Sequence, residues 1–191
     1  GTTELPLVGL TTGNDGTWSA RFWVKEGAKN YHRYWCESVR VVGHGFKVNY
    51  AERLKPKIHF GEELTRTISA WGENKQNDLA RIRIGVVGLG SVGASVAEAL
   101  RRTGVQHIRL FDFDLVERKN LDRLQGVGTQ HIGMLKVEAV KERLDTFSVY
   151  SSQEVETFPF SITEPEGLKG ALDCDILFSC VDRPLPRFVL D

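Results

Sequence analysis

One run constrains this chain more than any other: Gly88-Leu89-Gly90-Ser91-Val92-Gly93, together with its flanks. Before it, Ile82, Ile84, Val86 and Val87 make a short apolar stretch, the pattern of a strand buried on both faces. After it, Val92, Val96, Ala99 and Leu100 recur at helical spacing, and Gly104 ends that element. A strand turning sharply into a helix needs glycines at defined places. Gly88 permits the turn, Gly90 lets a phosphate approach the backbone, and Gly93 lets the helix pack close to the strand. Backbone N–H groups at the helix start, and the helix dipole, favour an anion there. The alternative is a tight strand–helix turn that binds nothing.

A second strand, Ile108 to Phe111, ends at Asp112. Asp112 falls about 20 residues beyond the glycines, where such folds place the acid that binds a ribose hydroxyl. Asn120, Arg123 and Lys136 follow, polar and cationic groups that a plain dinucleotide site does not need. Leu121 to Ile132 reads as a loop. Gly133 to Leu144 reads as a helix, with Val137, Val140 and Leu144 on one face. Lys136 then sits in its first turn, where a cation opposes the helix dipole. A phosphate between the two would resolve that conflict; the plain alternative for Lys136 and Arg123 is solvated surface charge. A further strand, Ile176 to Val181, runs into Asp182. An acid at a strand's carboxyl end can hold magnesium together with substrate phosphates. It can equally cap a helix opening at Pro184, and both readings stand.

The stretch 81–187 resembles the ThiF/MoeB family and the related ubiquitin-activating enzymes. The matching pieces are the glycine run, Asp112-Phe113-Asp114, Asn120-Leu121-Asp122-Arg123, Gly133 with Lys136, and Cys180-Val181-Asp182. The resemblance implies an enzyme that uses MgATP to adenylate the C-terminal carboxylate of a ubiquitin-like or sulfur-carrier protein. It implies that Asp112 holds the ribose, that Asn120, Arg123 and Lys136 contact phosphates, and that Asp182 holds Mg2+. Upstream, Arg66, Gly72, Gln76 and Leu79 fill the places of a helical arginine and the residues after it. Arg66 would then reach the triphosphate of the neighbouring subunit in a homodimer. Arg183 departs from the asparagine common after the final aspartate, and Met134 and Leu135 depart from the usual glutamine or proline. The family domain also continues with more strands beyond the point where this chain ends.

Composition sets the remaining bounds. The chain has 191 residues, with 25 basic and 25 acidic side chains, a balance that gives no support for nucleic acid as a partner. It lacks the long apolar run of a membrane span and the pattern of a signal peptide. Cys36, Cys174 and Cys180 have no paired spacing for a zinc knuckle or disulfides. Free cysteines favour a reducing compartment, so a cytoplasmic location is expected. Cys180, in an apolar stretch, reads as a small hydrophobe and not as a nucleophile.

The first 60 residues differ. Pro6–Thr11, Trp18–Val24, Val39–Val42 and Phe46–Tyr50 are β-branched or aromatic and are separated by glycine turns. They resemble the later half of a JAB/MPN-like domain, although His32, His44 and His59 do not make its zinc set; an ordinary β appendage is the alternative. The expected organisation is a β-rich segment over 1–60 and an adenylating domain over 61–191. The latter is α/β, a Rossmann-like parallel sheet with flanking helices, incomplete at its C-terminus. Two rival functions remain: an NAD-dependent oxidoreductase, and a non-catalytic scaffold that binds a carrier protein.

Overall fold

A computed structural model describes residues 7–27, 30–55, 58, 60–148 and 153–190. Pro6 and His59, named above, lie outside these. The chain divides into two compact units, Gly1–Lys57 and Ile58–Asp191. The first holds an antiparallel sheet of β1 (Leu7–Thr12), β2 (Trp18–Glu26) and β3 (Asn30–Trp35), and a hairpin of β4 (Ser38–Val42) and β5 (Phe46–Tyr50). Its core is thin: among the described residues only Ala20 and Asn49 are buried.

The second unit opens with α1 (Thr65–Trp71) and α2 (Glu73–Arg81), broken apart at Gly72, whose φ is +90°. Gln76 is fully buried and ties them down: it accepts from Trp71 Nε1 and donates to the Thr103 carbonyl, both at 2.8 Å. A parallel sheet follows, built from β6 (Arg83–Val87), β7 (His107–Phe111), β8 (Glu154–Phe158) and β9 (Ile176–Ser179) in the order β8-β7-β6-β9. Between them run α3 (Ser91–Arg102), α4 (Lys136–Asp145) and α5 (Pro165–Leu172); α6 (Pro184–Leu190) comes last. The sheet is therefore Rossmann-like and flanked by helices.

Ile84, Val86, Ile108, Leu110, Val137, Val140 and Leu144 form one continuous core. Each such side chain contributes about 1.5–3 kcal/mol when fully buried. The buried face of α3 is shifted from the expected one: Gly93, Ala94 and Ala97 are buried while Val92 and Ala99 are exposed. Small residues win that face because the helix lies close on the sheet. Two boundaries move as well. α4 begins at Lys136 and not at Gly133, and β9 ends at Ser179, short of Val181.

Helices α3 and α4 are locked by charge. Arg143 donates to Glu98 Oε2 from Nε at 3.0 Å and from Nη2, and Arg102 Nε reaches Glu98 Oε1 at 2.9 Å. The hydrogen bonds from Arg143, opposed by burial and assisted by Arg102, hold the Glu98 carboxyl below its usual range. A carboxyl depressed in the folded state adds stability above its unfolded value, and that stability disappears as pH falls through the folded value. Glu98→Gln is therefore expected to lower the melting temperature at pH 7, and the gap from wild type should shrink at about pH 3. A gap of constant size across this range would show that the charge does not matter.

Candidate functional site

All four strands of the parallel sheet point the same way, so their carboxyl ends meet at one edge. Chain order runs outward from β6 to β7 and β8, then returns to β9 on the other side. Ligand crevices of open α/β sheets lie where the strand order reverses in this way. A cleft of about 490 Å³ sits there. Every strand end contributes to it: Gly88 and Gly90 after β6, Asp112 to Asp114 after β7, Phe160 to Ile162 after β8, and Cys180 to Arg183 after β9.

Six of the nine residues singled out from the sequence are polar or charged, and five of these six line the cleft: Asp112, Asn120, Arg123, Lys136 and Asp182. Gly88 and Gly90 line it too. Gly93 does not; it lies beneath, and a Cβ there would meet the Gly88 carbonyl oxygen at 1.9 Å. Gly88 has φ +88°, and a Cβ on it would meet the Cys180 carbonyl at 2.9 Å. Gly90 is the opposite case. Its φ is −77°, and a Cβ would meet nothing within 4 Å. The space in front of Gly90 is thus open to a ligand that can approach the backbone. Arg66 lies exposed on α1 and is not part of the cleft wall.

The acid after β7 organises the rest. Asp112 Oδ2 accepts from Leu89 N–H at 2.7 Å and Oδ1 accepts from Asp114 N–H at 2.8 Å. Burial pushes its carboxyl up, against the pull of those two N–H groups and of Lys136. Each oxygen retains acceptor capacity for a hydroxyl. Asn120 is buried; its Oδ1 accepts from Glu117 N–H at 2.9 Å, and its Nδ2 has no partner among the described residues. Arg123 donates to the Lys119 carbonyl and to Asp122 Oδ1. Lys136 Nζ pairs with Asp114 Oδ2 at 2.7 Å. A carboxylate of the protein itself therefore sits against this lysine. Asp182 is exposed and has no ion-pair partner among the described residues.

Burial raises the Cys180 thiol, so it stays protonated near neutral pH, in keeping with a small half-buried hydrophobe. Among the described residues no group of three or more His, Cys, Asp or Glu could hold a metal ion, and no helix is long and apolar enough to cross a membrane. The sequence did not single out Arg183, Lys119, Phe160 or Ser161 as cleft residues. Lys119 and Arg183 carried no spacing signal, and the other two follow a strand whose polar pattern hid it.

An open parallel sheet with a glycine turn, an acid on the next strand and a cleft at the strand ends defines a Rossmann-like α/β domain. The chain belongs to the ThiF family, whose model matches residues 64–191. Ubiquitin-like modifier-activating enzyme 5 of Caenorhabditis elegans is 33% identical over 146 residues, covering 69% of this chain and 34% of that protein. Adenylyltransferase and sulfurtransferase UBA4 of Eremothecium gossypii is 29% identical over 119 residues, 62% of this chain and 26% of its own length. Among solved structures, E. coli tRNA N6-threonylcarbamoyladenosine dehydratase, TcdA, in complex with ATP matches with a TM-score of 0.62 and 25% identity. That match covers 70% of this chain and 56% of TcdA. The chain thus spans about a third or less of the length of these two curated relatives.

The two glycines separate folding from binding. Gly90→Ala is expected to keep the wild-type melting temperature and lose nucleotide affinity, because its methyl enters open space. Gly93→Ala is expected to lower the melting temperature, because its methyl meets backbone. Melting curves beside nucleotide titrations check both; a Gly90→Ala protein that binds as well as wild type would remove the turn from the site.

Proposed function

We propose that the cleft binds ATP and that the protein uses it to adenylate a carboxylate, that of the C-terminus of a ubiquitin-like or sulfur-carrier protein. The observation that carries this reading is the cleft at the sheet's switch point. There an open glycine turn, a buried aspartate and the side chains of Asn120, Arg123, Lys136 and Asp182 converge. The ATP complex of TcdA supports the ligand, and the names of the two curated relatives support the reaction and the class of carrier.

In this reaction a carboxylate oxygen attacks the α-phosphorus of ATP. The bond from that phosphorus to the bridging oxygen breaks, pyrophosphate leaves with the electron pair, and an acyl-adenylate remains. Such a transfer depends on positioning and on charge neutralisation, with little covalent help from the protein. Asp112 would accept from the ribose hydroxyls. The backbone around Gly88–Gly90, the Asn120 Nδ2, Arg123 and Lys136 would hold phosphates. The cleft wall carries Lys119, Arg123, Lys136 and Arg183 against Asp112, Asp114, Glu117 and Asp182, a balance of charge. A triphosphate would therefore find no net positive field, which argues for an added cation. Asp182 fits Mg2+, being exposed and without an ion-pair partner among the described residues, since this ion binds through one or two carboxylates plus phosphates. Bound there, Mg2+ would neutralise phosphate charge. Arg66, exposed and away from its own cleft, would supply a further cation to the neighbouring subunit of a homodimer.

MgATP is expected to bind in calorimetry while NAD does not; tight NAD binding with no response to ATP would defeat the proposal. Lys136→Ala or Arg123→Ala should slow ATP–pyrophosphate exchange by about 10²-fold, the scale for removing one charge-stabilising donor, and leave the protein folded. Arg66→Ala and Lys136→Ala subunits, each strongly impaired alone, should regain activity when mixed. No recovery in a sample shown to exchange subunits would reject action in trans.

A further inference from the structure

Asp114 is left unexplained by this scheme. An acid beside bound phosphates costs affinity, yet Asp114 lies in the cleft wall, half-exposed, with its carboxylate 2.7 Å from Lys136 Nζ. Its surroundings are built and not incidental. Lys136 N–H donates to the Asp114 carbonyl at 2.9 Å, Val116 N–H to the Met134 carbonyl at 2.8 Å, and Gly133 N–H to the Val116 carbonyl at 2.9 Å. Two chain segments are thereby zipped together, with Leu115 bridged to Leu135 between them. On its other side the Asp114 N–H is held by Asp112, whose second oxygen holds Leu89 in the glycine turn. One chain of hydrogen bonds runs from the turn, through Asp112 and Asp114, to the lysine ammonium.

Lysine is an unfavourable choice for this place on two grounds. It is the first residue of α4, where a cation opposes the helix dipole. Its long side chain also loses much rotamer freedom when fixed. The Asp114 carboxylate offsets both: the Lys136 side chain is only 12% exposed and is held against the cleft wall. An ammonium has three N–H groups, so Asp114 can take one and leave the others for phosphate oxygens.

We propose that Asp114 is a positioning residue, which holds the Lys136 ammonium ready at the cleft wall before a nucleotide arrives. The benefit of that readiness exceeds the repulsion between Asp114 and phosphate. It acts through Lys136 alone, and it rests on the reading of the cleft as an ATP site.

A double-mutant cycle in the full-length protein tests this, with the ATP dissociation constant and the pyrophosphate-exchange rate as readouts. Asp114→Ala should weaken both by about tenfold when Lys136 is present and by less than about twofold in a Lys136→Ala background, a coupling typical of contacting residues. Asp114→Asn, which keeps an acceptor oxygen, should recover part of the loss, and it serves as the test variant if the alanine protein does not fold. A second readout needs no nucleotide. Acetylation of Lys136 by acetic anhydride, followed by mass spectrometry, should rise several-fold in the Asp114 variants as the side chain is released. Equal losses with and without Lys136, or unchanged labelling, would overturn the proposal. A wild-type protein that binds no ATP, with labelling that still rises, would defeat the ATP reading and leave the lysine clamp standing.

Discussion

The carboxylate of Asp112 is the point on which the cleft depends. It leaves β7 at the level where the glycine turn leaves β6, and it takes one N–H from each side: Leu89 in the turn and Asp114 in the segment leading to Lys136. Without that acceptor two backbone donors at the base of the cleft would lose their partner, a cost of about 1–3 kcal/mol each where they are buried. The same burial that makes those bonds matter pushes the carboxyl up, so the site holds a charge in a place that resists it. The two N–H groups and Lys136 offset part of the penalty. A structural role for Asp112 does not compete with a ribose role, since each oxygen has a second lone pair.

The parts legible in the sequence are those with a single strong physical requirement. The glycine turn is readable because Gly88 needs a positive φ and Gly93 needs to lie against the Gly88 carbonyl. Strand β6 is readable because it is buried along nearly its whole length, β7 because Ile108, Leu110 and Phe111 are buried, and β9 because Ile176, Leu177 and Phe178 stand together as an apolar run. β8 is not. It is one of the two edge strands, and its sequence Glu-Val-Glu-Thr-Phe carries carboxylates that pair with Arg109 and His107 on β7. Ion pairs across strands look like loop polarity when only one strand is in view. α5 is hidden for a different reason. Gly167 and Gly170 weaken a helical reading, yet they are needed there: Cβ atoms on them would meet the Ser161 carbonyl at 2.1 Å and the Phe158 ring at 2.6 Å. With β8 and α5 unseen, the wall formed by Phe160 and Ser161 is unseen too. The strand β3, with Tyr31, His32 and Arg33, mixes polarity because it is exposed along its whole length.

Lys136 shows how a local requirement can be met from within the protein before any ligand is considered. A cation in the first turn of α4 does call for an anion, and the structure supplies one from Asp114, within the protein. The cleft as a whole follows the same rule, with its acids matched by its bases. Under the proposed function this means that a triphosphate would have to bring or recruit its own counter-charge. This is the physical reason for expecting a divalent cation at Asp182 and a cation from outside the cleft.

In the proposed reaction a carboxylate attacks the α-phosphorus of ATP in this cleft. Isotope transfer tests it most directly. The full-length protein would be given MgATP and a ubiquitin-like or sulfur-carrier protein whose terminal carboxylate is enriched in oxygen-18. The acyl-adenylate would then be cleaved by an added amine, and the released AMP analysed by mass spectrometry. One carboxylate oxygen is expected in the phosphate of AMP. Unlabelled AMP, or ADP as the product, would contradict it.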